Sequence, residues 1–145
     1  MVRTLGAFMV AVLVTYVAAA AAATQSVMGR LLDLGAPVTL AVRAEATWHD
    51  LLGMASSYLP ILAVALLIAF PVAALVVRFL PNWRAIGYPL AGAVGVLAVH
   101  VILEQLFMIT PVAATRTLAG LGVQALCGAL GGWVFLRCLP ARRAA

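Results

Sequence analysis

His100 and Glu104 stand four residues apart, one turn from each other on one helix face, and Gln105 sits beside the carboxylate. An imidazole that titrates near neutral pH next to a carboxylate is the chemistry of a proton or cation site, with Glu104 exchanging a proton and His100 relaying it. Arg116 and Gln124, which follow in the next apolar run, complete the candidate set. A structural role is the competing reading. An ionisable residue in an apolar helix costs about 2.5–3.5 kcal/mol at the membrane centre, so it faces its neighbours and takes a partner. On that reading Glu104 closes on Arg116 and fixes the register of two helices.

Other chemistry finds less support. His49 and His100 are a conceivable axial pair for haem b, but they fall at different depths, and no Cys-x-x-Cys-His is present for covalent attachment. A zinc site from His49, Asp50, His100 and Glu104 lacks any ligand spacing. No metal or other cofactor is expected. Cys127 and Cys138 lie on one predicted helix about 16 Å apart, beyond disulfide reach, and read as small apolar residues. There is no Gly-x-Ser-x-Gly, no phosphate-cradling glycine loop, no His-Glu-x-x-His and no lysine.

The elements that must position these residues are apolar helices. Of 145 residues, 66% are hydrophobic and 9% charged, with a mean hydropathy of +1.18. A soluble domain carries about 25% charged residues, so this chain cannot coat a water-facing globule. Four runs have the roughly 20 apolar residues a bilayer needs: 5–27, 54–77, 86–108 and 117–136. Only the third holds a charge, Glu104. The first run, with its alanines before Thr24-Gln25-Ser26, resembles a secretory signal peptide. Its length favours an uncleaved spanning helix.

The net charge of +5 comes from nine arginines and four acidic residues. The arginines sit mostly singly at the edges of apolar runs, without a basic stripe or interleaved aromatics, so nucleic acid is not an expected partner. With the N-terminus inside, Arg3, Arg78, Arg84, Arg137, Arg142 and Arg143 lie inside and Arg30, Arg43 and Arg116 outside. That bias predicts both termini inside, in a bacterial-type inner membrane. Trp83 and Trp133 then mark the inner interface and Trp48 the outer one.

Short joins at Pro81-Asn82-Trp83-Arg84 and Ile109-Thr110-Pro111-Val112 predict adjacent antiparallel helices. Between the first two spans, Gly35-Ala36-Pro37 breaks the chain and 38–52 reads as an amphipathic helix lying in the outer interface or extending the second span. Thr39, Arg43, Thr47 and Asp50 share one side of it; Val38, Ala41, Val42, Trp48 and Leu52 share another. Pro60 and Pro71 are expected to interrupt the second span. Gly120, Gln124, Gly128 and Gly132 recur every fourth residue, a small-residue face for close helix contact, within the bundle or with a partner or second copy.

The expectation is an all-α integral membrane protein of one domain, 1–145, with four transmembrane helices and one interfacial helix. Its partners are the lipid bilayer and a membrane protein or a second copy. The leading function is that of a non-enzymatic accessory or assembly subunit working through helix–helix contacts. The alternatives are a small transporter or proton- or cation-conducting protein built on Glu104 and His100, and a haem-b electron carrier.

Overall fold

The computed structural model describes residues 2–108 and 113–139, and these are helical with no strand. The helices are α1 (Val2–Asp33), α2 (Leu40–Gly53), α3 (Tyr58–Phe79), α4 (Arg84–Phe107) and α5 (Leu118–Cys138), with short 3₁₀ turns at Pro81–Trp83 and Ala113–Arg116. All but α2 are long and apolar enough to cross a membrane, as in a multi-pass helical membrane protein. The join at Ile109-Thr110-Pro111-Val112 and the arginines Arg142 and Arg143 lie outside the described residues.

Local chemistry sets the helix ends. α1 continues past Thr24-Gln25-Ser26 instead of ending near Val27; Ser26 returns its hydroxyl to the Ala22 carbonyl at 2.8 Å, and the Thr24 hydroxyl oxygen lies 3.1 Å from the Ala20 carbonyl. It stops at Gly35, where a φ of 81° lets the Ala36 amide reach back to the Leu31 carbonyl at 3.0 Å. α2 begins at Leu40, two residues later than its apolar pattern suggests, because Thr39 caps it by accepting from the Val42 amide at 3.3 Å. α2 and α3 are separate helices, joined by a turn in which the Tyr58 amide donates to the Met54 carbonyl. Pro60 therefore falls in the first turn of α3, where its missing N–H costs nothing; Pro71 and Pro89 are the prolines inside spanning helices.

The four long helices run alternately up and down. α5 lies between α1 and α4, α3 packs on α4, and α1 touches α3 only sparsely. Glycine decides the α4–α5 contact. A Cβ on Gly128 would overlap the carbonyl of Gly92, and one on Gly132 would overlap the carbonyl of Tyr88, so the two backbones touch. Toward the end holding the α1 N-terminus, aromatic rings fill the wider space. Phe70 stacks on Phe135 with centroids 4.3 Å apart and meets Phe8 and Tyr88 edge-on. The outer faces carry exposed leucine, isoleucine and valine, as lipid contact requires.

Candidate functional site

Toward the opposite end, three polar side chains from three helices meet in the interior: Tyr58 at the start of α3, His100 on α4 and Gln124 on α5. Each is at least 98% buried. The Tyr58 hydroxyl donates to Gln124 Oε1 at 2.9 Å and lies 3.2 Å from His100 Nε2. His100 Nδ1 is 2.8 Å from the Val96 carbonyl, and Gln124 Nε2 donates to the Ala19 carbonyl of α1 at 3.0 Å. One chain of hydrogen bonds thus ties all four spanning helices together. Tyr16 flanks it with its ring 6.3 Å from that of Tyr58, and Cys127 is buried on the same helix as Gln124.

The protons in this chain can be counted. Both of its ends, the carbonyls of Val96 and Ala19, only accept, so its four links need four hydrogens. A neutral imidazole, one hydroxyl and the inward N–H of the amide supply three. With a neutral His100 the Tyr58 proton serves either Nε2 or Gln124 Oε1, and an imidazolium would complete all four links. Among the described residues no charged side chain is buried with the cluster.

The sequence candidates divide. His100 and Gln124 are brought together, but Glu104 and Gln105 are exposed on the last turns of α4 and take no part in the buried chain. Four residues turn a helix by about 400°, about 40° beyond a full turn, which carries the carboxylate round from the buried face. Arg116 is exposed in the 3₁₀ turn before α5. The two histidines do not share a site: His49 is exposed on α2, whereas both ring nitrogens of His100 already face protein partners. Among the described residues no three of His, Cys, Asp or Glu gather as metal ligands. Of the glycines, Gly128 and Gly132 pack on α4 and Gly120 against the Ala114 carbonyl, all inside the bundle.

Tyr58, which joins the other two, is the residue that the pattern of the sequence does not announce. The available signal is its depth. Its hydroxyl falls at the level of His100 and Gln124 once the helices alternate in direction.

A second polar group joins α1 to α2. Thr24 donates to Asp50 Oδ2 at 2.7 Å, Gln25 donates to Thr47 at 3.0 Å, Arg43 donates to Gln25 Oε1 at 2.6 Å, and the Tyr16 hydroxyl donates to the Leu51 carbonyl. The polar side of α2 therefore faces α1, while Leu40, Val42, Trp48 and Leu52 are exposed.

Comparison with known proteins gave no match to a family model, a curated protein or a solved structure.

Proposed function

We propose that this chain is a non-enzymatic accessory or assembly subunit of a membrane complex, acting through helix–helix contact. The observation that carries this reading is a closed interior: among the described residues, no buried side-chain nitrogen or oxygen lacks a hydrogen-bond partner. Polar groups spent on one another hold helices in place and leave none aimed at a substrate. The inward glycines are also used within the bundle, so a partner must use the outer faces. A shallow apolar furrow of about 320 Å³ between α3 and α4, floored by Ala65, Ala69, Ala91 and Gly95 between the exposed Ile68 and Val94, has the shape to take a partner helix.

The orientation is part of the same proposal. Arg3, Arg78, Arg84 and Arg137 fall at one end of the bundle, and Arg30, Arg43 and Arg116 fall at the other with every acidic residue. This supports both termini inside a bacterial-type inner membrane. The outward apolar side of α2 supports a helix lying in the outer interface.

Native extraction in mild detergent followed by mass spectrometry tests the subunit reading. The expected result is a specific co-purifying membrane protein, depleted at least several-fold by Ala98→Trp, which fills the furrow from an exposed position. A monomer without companions, or a companion indifferent to the tryptophan, overturns it.

The proton count at His100 favours a second reading, a proton or cation pathway. Here the exposed Glu104 serves as the outer acceptor and the Tyr58–His100 pair as the buried relay. Reconstituted vesicles reporting internal pH decide it. His100→Phe and Glu104→Gln should each abolish proton flux, and wild-type vesicles as tight as empty ones end this reading.

A further inference from the structure

The seam between α1 and α3 is the loosest in the bundle, and toward the end holding the α1 N-terminus it opens into a groove of about 750 Å³. That volume is in the range of small-ligand clefts, about 300–1,000 Å³. Its walls are Leu5 and Phe8 of α1 and Phe70 and Ala74 of α3, with Tyr88 and Phe135 behind them. It opens sideways between two spanning helices, where the surrounding medium is hydrocarbon.

The charge around its open end is one-sided. Arg78 follows Ala74 by one turn on the same face of α3, and Arg84 precedes Tyr88 by one turn on α4. The four acidic residues, Asp33, Glu45, Asp50 and Glu104, are all at the opposite end of the bundle. An apolar trough that ends beside two arginines, with every acidic side chain at the opposite end, is complementary to a molecule with a long hydrocarbon tail and an anionic head. Basic pockets between spanning helices hold the head groups of anionic lipids in this way.

We propose that this seam is a binding site for an anionic phospholipid, with one acyl chain lying against Phe70 and Phe135 and the phosphate held between Arg78 and Arg84. The site is independent of the furrow assigned to a partner helix, which lies on the other side of α3.

Native mass spectrometry of the purified protein, titrated in micelles with phosphatidylglycerol or with phosphatidylcholine of the same chains, tests the proposal. Phosphatidylglycerol is expected to bind at least tenfold more tightly. Arg78→Gln and Arg84→Gln should each weaken it about fivefold, the effect of one surface arginine, and leave phosphatidylcholine unchanged. Ala74→Phe, which narrows the groove from an exposed position, should weaken both lipids, whereas Ala98→Trp in the other furrow should weaken neither. Circular dichroism of each variant confirms that the helices are intact. Equal affinity for the two lipids, or a preference that survives removal of both arginines, overturns the proposal. So does lipid binding indifferent to Ala74→Phe, or a dimer that Ala74→Phe dissociates and lipid does not.

Discussion

Tyr58 carries more of this molecule than its place in the sequence suggests, because one hydroxyl serves two helices. Removing it should leave His100 Nε2 and Gln124 Oε1 facing each other across an apolar gap. Interhelical hydrogen bonds in membranes average about 0.6 kcal/mol, but a buried acceptor left without a donor costs about 1–3 kcal/mol. Tyr58→Phe is therefore expected to destabilise the bundle by about 1–2 kcal/mol, read as an earlier unfolding midpoint in a detergent titration with sodium dodecyl sulfate. Glu104→Gln, on an exposed turn, should leave that midpoint in place. His100 and Gln124 were legible in the sequence because polar side chains in an apolar run need partners. Tyr58 was not, since a tyrosine near the end of a span reads as an interface anchor. Glu104 lies outside the buried chain for a geometric reason, because four-residue spacing names neighbours on a helix and says nothing of where an adjacent helix stops covering them.

Among the elements, α4 and α5 depend on each other most closely, through backbone contact at Gly92 and Gly128. Gly128→Ala places a methyl group against a carbonyl that cannot move without its helix, and overpacking of this kind costs about 1–3 kcal/mol. Gly122→Ala, on the same helix with nothing within 4 Å of the new methyl, should be neutral or gain up to about 1 kcal/mol of helix propensity. The same unfolding titration separates the two, and equal midpoints would refute the packing account. The glycine spacing was legible as a contact face, though only the folded chain shows that the face is spent within the bundle. For α2 the two sides were legible but their directions were not. The polar side turns inward because Thr24 and Gln25 extend α1 as a polar post beside it, and a helix pattern carries no information about such a neighbour.

At the scale of the whole molecule, alternating directions place Arg3, Arg78, Arg84 and Arg137 at one end, and the proposed orientation is measurable with a native cysteine. Cys138 is exposed near the end of α5, whereas Cys127 is buried. A membrane-impermeant maleimide is expected to label Cys138 in inside-out vesicles and a Glu45→Cys variant in right-side-out ones. Labelling of both from one side would reject the orientation. Four long apolar helices were legible because hydropathy reports apolar length directly, but their arrangement around one another was not. The seat of α5 between α1 and α4 also bears on how the protein is made. Ribosomes deliver α5 after the other spans, so until it inserts, α1 and α4 have no helix between them and the Ala19 carbonyl has no amide to meet. The earlier helices then form a loosely associated set with His100 incompletely shielded. Packing of these four helices is therefore completed by α5, and a chain cut before Leu118 would leave Tyr58 and His100 without the Gln124 amide.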